Sequence, residues 1–118
     1  MCWSVNGAFE TRPSNVAVST NSVVVFTCTT DSTSPNPVLI NWYYTGVGAQ
    51  RTLIAFSCDV LGSLQSVYRT TGAAAGVCNL TVNSVQLTNA GTFWCNDVES
   101  SRFSVAELVV LGKFFTAF

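Results

Sequence analysis

Apolar and polar residues alternate with a period of two along most of this chain. Val24, Phe26 and Cys28 share one parity, and Val25 and Thr27 the other. Ile40, Trp42 and Tyr44 alternate with Leu39, Asn41 and Tyr43; Cys78, Leu80 and Val82 alternate with Asn79, Thr81 and Asn83. That last polar series is what a sheet with one buried and one wet face requires. Turn-forming clusters separate the runs: Thr30–Pro37, Thr45–Ala49, Thr71–Gly76 and Thr88–Gly91. The pattern predicts strands near residues 3–9, 15–18, 22–29, 38–44, 51–57, 66–70, 78–83, 91–97 and 102–111. Short strands at regular spacing, with no sustained helical period, indicate an all-β sandwich or barrel.

The organisation that follows is one domain over residues 1–112, without repeat, linker or charge run, and a tail at 113–118, "KFFTAF". A length of 118 residues suits one domain with a real core. Met1 is expected to be an introduced start residue, any signal peptide or membrane anchor having been removed. The tail is expected to be a stalk, the beginning of an anchor or an added segment. The longest apolar runs, such as Val23–Phe26 and Leu108–Leu111, fall far short of the roughly 20 residues needed to cross a bilayer as a helix.

Composition removes several function classes. Only 9% of residues are charged, the formal net charge is −1, and the basic residues Arg12, Arg51, Arg69, Arg102 and Lys113 are scattered. No basic stripe offers itself to a phosphate backbone, so nucleic acid is not an expected partner. The absence of histidine removes the commonest general base and the commonest metal ligand together. No cofactor or metal is expected. With no carboxylate pair at motif spacing and no phosphate-cradling glycine loop, an enzyme is not expected either.

Five cysteines, Cys2, Cys28, Cys58, Cys78 and Cys95, are separated by 26, 30, 20 and 17 positions. The absence of a C-x-x-C pair speaks against a zinc knuckle or a thioredoxin-like site. Widely spaced cysteines in a small, weakly charged domain read as disulfides formed in an oxidising compartment. An odd number leaves one without a partner inside the chain.

Cys28 ends a β-branched run, Trp42 follows 14 residues later in another strand, and Cys95 lies 67 residues after Cys28. The constellation, with "SVVVFTC", "INWYY" and "LTVNSVQLTNAGTFWC", resembles the immunoglobulin superfamily, and within it the variable-type (V-set) domains, over about residues 14–111. The resemblance implies a two-sheet antiparallel Greek-key sandwich. It implies an inter-sheet bridge between Cys28 and Cys95, with Trp42, Phe93, Leu80 and Val82 in the core. Two free buried cysteines would be the alternative. Closing a loop of that size stabilises by roughly 4 kcal/mol in the chain-entropy view. A second bridge, Cys58 to Cys78, is expected to pin the sandwich edge, as a similarly placed bridge does in T-cell costimulatory receptors of the family. It would add about 3 kcal/mol. The rival is a bond from Cys2 to one of these two, and an unpaired Cys2 would be an idle thiol or a link to another chain.

Departures from the family pattern are specific. Asn89 stands where an aspartate usually pairs with an arginine, here Arg69. Phe93 replaces the family's corner tyrosine, so that tyrosine's hydroxyl anchor is lost and a softer corner is expected. "FSVAELVVL" resembles the joining segment without its G-x-G bulge, which implies a non-rearranging receptor or adhesion domain.

V-set domains bind, and strand parity indicates where. Asn41, Tyr43, Trp94 and Asn96 flank the inward Trp42 and Cys95, so they are expected on the outer surface of that sheet, which the family letters GFCC′. Tyrosine and tryptophan are enriched at interface hot spots. Phe56, Phe103 and Arg51 are further candidates there; mutual stacking of Tyr43 and Trp94 is the alternative. The segment 96–104 would be the loop carrying Asp97, Glu99 and Arg102 as binding charges. Asn79-Leu80-Thr81 is a glycosylation acceptor motif on the opposite sheet. The expected partner is a protein: the chain itself or another V-type domain. Alternatively the domain is a secreted immune-type binder that meets foreign ligands through its loops. Either role places it outside the cell, on the surface or secreted, the parent chain anchored or not.

Overall fold

The computed structural model describes residues 9–31, 33, 38–46 and 48–112, with Ala73 by its backbone alone. Cys2, most of the strand predicted at 3–9 and the tail at 113–118 lie outside the described residues. Eleven strands are present among those described: β1 (Phe9–Thr11), β2 (Val16–Ser19), β3 (Val24–Phe26), β4 (Thr29–Thr30), β5 (Ile40–Thr45), β6 (Thr52–Phe56), β7 (Asp59–Val60), β8 (Tyr68–Ala74), β9 (Val77–Val82), β10 (Gly91–Asp97) and β11 (Arg102–Leu111).

They form two sheets. One has the order β1-β4-β9-β3, with β8 on the other side of β9; the second runs β2-β11-β10-β5-β6-β7. All described pairings are antiparallel except β2 with β11, which is parallel. The run predicted as one strand at 22–29 is interrupted. β3 pairs with Leu80–Val82 and β4 with Val77, so the two are halves of one interrupted strand along β9. Between them the Cys28 N–H turns to the side-chain oxygen of Asn79, at 3.3 Å.

The core lies between the sheets. Phe26, Ile40, Trp42, Ile54, Leu80, Val82, Val85 and Phe93 are fully buried. Phe26 stacks on Phe93 with ring centres 4.9 Å apart and meets Trp42 at 6.3 Å. Burying each large side chain contributes about 2–3 kcal/mol. The Trp42 indole N–H is also satisfied, donating to the Cys78 carbonyl at 3.2 Å.

Two disulfides cross-link the layers. Cys28–Cys95 spans 67 residues with Cα atoms 6.5 Å apart, and Cys58–Cys78 spans 20 with Cα atoms 5.8 Å apart. The second fixes an unusual turn. Ser57 and Cys58, which join β6 to β7, both have positive φ, +50° and +62°. Hairpins of this two-residue kind favour Asn-Gly, since other residues carry a steric cost there. The bridge holds this turn together with three hydrogen bonds. Ser57 N–H donates to Asn41 Oδ1 at 2.8 Å, Cys58 N–H to the Ile40 carbonyl at 2.9 Å, and Thr70 Oγ1 to the Cys58 carbonyl at 2.6 Å.

The corner before β10 is anchored, contrary to the softening expected from Phe93. Tyr44 supplies the missing phenol from the neighbouring strand. Its hydroxyl donates to the Ala90 carbonyl at 2.6 Å, with the Thr88 carbonyl 3.1 Å away, and its ring packs on Phe93 at 5.0 Å. Burial raises the Tyr44 pKa, and that of nearby Tyr68 to about 12, so both phenols stay protonated as donors at neutral pH. Gly91 completes the corner. At φ +147°, a Cβ there would meet the Thr45 carbonyl oxygen at 2.5 Å, so only glycine fits. Asn89 does not pair with Arg69. Its side-chain oxygen accepts the Gln86 N–H at 2.7 Å, capping a single 3-10 turn at Leu87–Asn89, while Arg69 donates to Asn83.

Replacing Tyr44 by phenylalanine removes that anchor and nothing else. Tyr44→Phe is expected to lower unfolding free energy by about 1 kcal/mol in a urea titration. An unchanged midpoint would show that the hydroxyl does not secure the corner.

Candidate recognition face

The outer surface of the six-stranded sheet is laid out by register. Cys95 pairs with Trp42 and both point into the core, so Trp94, opposite Tyr43, faces outward with it. Trp94 is also opposite Val105 on β11, and Tyr43 opposite Leu53 on β6. One row of this face therefore reads Val105, Trp94, Tyr43, Leu53. The adjoining row begins with Glu107, Thr92 and Thr45. Arg51, one residue before the Thr52 that pairs with Tyr44, falls opposite Thr45 and ends it.

Three aromatic rings and one cation make the centre. Phe103 lies 5.9 Å from Tyr43 and 5.8 Å from Trp94, edge-on to the latter. The Arg51 guanidinium sits over all three, 5.1 Å from the Tyr43 and Trp94 rings and 4.5 Å from Phe103. Such contacts hold a cation by the ring quadrupole, at about 0.5–1 kcal/mol each where exposed. Trp94 Nε1 donates to Thr45 Oγ1 at 2.8 Å, so the indole is held in place. Strand parity does not fix the side on which Arg51 and Phe103 fall; the structure brings both side chains onto this face, the Arg51 guanidinium reaching from the β6 end of its row over the three rings.

The apolar surface continues beyond the rings. Val105, Val109 and Leu111 on β11 are 47%, 50% and 48% exposed, and Phe56 at the end of β6 is 59% exposed. Inward Ser104, Ala106 and Leu108 alternate with Val105, Glu107 and Val109, so the period of two in this strand is the sequence signal for these residues. Exposed apolar side chains gathered on one sheet make this face the candidate interaction surface.

Three expected contact residues are differently placed. Asn41 and Asn96 do lie on the outer side, yet they are only 7% and 8% exposed. Asn41 is covered because its amide oxygen binds Ser57 N–H, and Asn96 because its Nδ2 donates to the Arg102 carbonyl at 3.1 Å. Both hold turns. Asp97, expected as a loop charge, is fully buried at the end of β10. Its parity is that of Cys95, hence inward. Residues 98–101 form a tight turn, and the Ser100 hydroxyl donates to Asp97 Oδ2 at 2.9 Å. Glu99 and Arg102 remain exposed. On the opposite sheet Asn79 is half-buried, and Thr81 is buried, enclosed by pairing with Val25 on one side and Arg69 on the other.

Among the described residues no group of three or more histidine, cysteine or acidic side chains is placed to hold a metal ion. No helix among them is long and apolar enough to cross a membrane.

A two-layer sandwich with an inter-sheet disulfide over a buried tryptophan defines an immunoglobulin-type domain. A family model described as Immunoglobulin V-set domain matches residues 11–111, and the chain belongs to that family. Members are generally non-catalytic, commonly mediate protein–protein interaction, and with disulfides are typically extracellular. No curated protein matches the sequence significantly.

Burial raises the Asp97 pKa above the ordinary 3.8, and the nearby Glu99 and Asp31 carboxylates add to the rise. The Ser100 hydroxyl and the Glu99 backbone N–H oppose it. Oδ1 accepts no hydrogen bond, so ionisation is costly at that oxygen. The folded domain therefore takes up this proton before the unfolded chain does. The resulting stabilisation is complete below the unfolded value and is lost as pH rises through the folded one. Asp97→Asn, followed by denaturant unfolding across that range, should remove this component of the acid-side gain. A variant whose pH profile parallels the parent would contradict the buried-carboxylate account.

Proposed function

We propose that this domain is the recognition domain of a cell-surface immune-type receptor of the non-rearranging kind. It does no chemistry, and it pairs with a second copy or another V-type domain through the outer face of the six-stranded sheet. The observation that carries this reading is the cluster of Tyr43, Trp94 and Phe103 beneath Arg51, on the same face as exposed Val105, Val109 and Leu111. Aromatic and arginine side chains in such a setting are the usual carriers of binding energy. Loop-mediated capture of foreign ligands by a secreted domain is less well supported. The turn at 98–101 is short, and Asp97 is turned into the protein. A sugar on Asn79 would stand on the opposite sheet and leave the aromatic one clear.

Light scattering of the purified domain, with and without reductant, tests the reading. A dimer that persists in reductant and is lost in Tyr43→Ala and in Trp94→Ala, each with unchanged circular dichroism, is expected. A monomer in both conditions would overturn self-pairing. A dimer that collapses in reductant while the fold persists would assign it to an intermolecular Cys2 bond instead.

A further inference from the structure

Two adjoining outward rows of the recognition face have a symmetry that bears on what covers it. Across β11, β10, β5 and β6 they read Glu107-Thr92-Thr45-Arg51 and Val105-Trp94-Tyr43-Leu53. A second copy can face the first only through a two-fold axis lying in the plane between them. If that axis runs along the strands, between β10 and β5, it leaves each row in place and reverses its order. Glu107 then meets the Arg51 of the second copy, Thr92 its Thr45, Trp94 its Tyr43, and Val105 its Leu53. Every contact is complementary: opposite charges, paired hydroxyls, paired aromatics, paired aliphatics.

An axis across the strands, through the Trp94 row, does the reverse. It sets Glu107 on the Phe103 of the second copy and carries Arg51 towards the end of its β6, where Phe56 is exposed. Glu107 would then be covered by an aromatic ring, which is costly, while Arg51 would lie near Phe56 and the Asp59 opposite it on β7. The strand-parallel axis is also compatible with the aligned packing that twisted sheets adopt.

We propose that the face binds a second copy of this chain about the strand-parallel axis, with Arg51 of each copy paired to Glu107 of the other. This rests on the self-pairing reading above and names the contact that sets its geometry. Glu107 is prepared for it. Thr92 Oγ1 donates to Glu107 Oε2 at 2.6 Å, which orients the carboxylate and leaves Oε1 for the guanidinium. Arg51 has no carboxylate partner among the described residues and is parked on the three rings. In the pair it leaves the rings, which the aromatic groups of the second copy then cover. Two guanidiniums that stayed would meet near the axis and repel.

Charge exchange tests the contact. Arg51→Glu alone and Glu107→Arg alone each set like charges opposite one another twice per dimer, and each should weaken self-association about tenfold or more. An equimolar mixture of the two variants restores opposite charges at both positions, so a mixed dimer of near-parental affinity should form, visible by native mass spectrometry. Glu107→Gln leaves the aromatic cluster intact; it should weaken pairing and flatten its salt dependence. If the parent dimerises and Trp94→Ala abolishes this, but the mixture is no tighter than either variant alone or Glu107→Gln changes nothing, the axis is wrong and the face reading stands. If the parent is monomeric, or Trp94→Ala still dimerises, the face reading fails and this proposal with it.

Discussion

The bridge between Cys28 and Cys95, packed against Trp42, sets the direction of every other side chain in the six-stranded sheet. With a side-chain period of two, an inward Cys95 sends Trp94 outward and brings Phe93 and Asp97 in. A slip of β5 by one residue would bury Tyr43 and expose Trp42, and a slip of β10 would bury Trp94 and expose Cys95. The aromatic face thus follows directly from the crosslinked core. The same register lines up the rows from β11 to β6, so a contact chosen in the core determines what another molecule meets outside.

Fold and core were largely legible in the chain. The alternation through Ile40–Tyr44 and Cys78–Val82, with the spacing of Cys28, Trp42 and Cys95, placed the central strands within a residue or two. Cys58 and Cys78 are bonded to each other, which leaves neither for Cys2. What parity could not supply was whether an outward side chain would be covered. Asn41 and Asn96 point the expected way but are taken up by the turns at Ser57 and Arg102, whose shapes depend on backbone angles the sequence does not display. Ser57-Cys58 lacks the usual composition of a left-handed two-residue turn, so β7 was not foreseen. The Tyr44 anchor was hidden for a related reason: it joins residues 46 positions apart, through a corner whose own tyrosine position holds phenylalanine.

The electrostatics of the domain are sparse and placed. Asp97 is kept inside, next to Ser100, at the base of a tight turn. Arg51 lies on aromatic rings, and Glu107 on the same face is fixed by Thr92. In a chain only 9% charged, Arg51 and Glu107 at opposite ends of one row of the outer face are the charges that the proposed pairing uses to set its orientation. In that pairing the apolar row supplies area, and the two charges supply register.

The central claim is that recognition uses the outer face of the six-stranded sheet. The most direct measurement is a dilution series of amide NMR spectra on the parent domain, in reductant-free and reducing buffer. Concentration-dependent shifts confined to residues 43–53, 92–94 and 103–107 are expected. Shifts centred on β3, β8 and β9, or on the turn at 98–101 alone, would contradict the account.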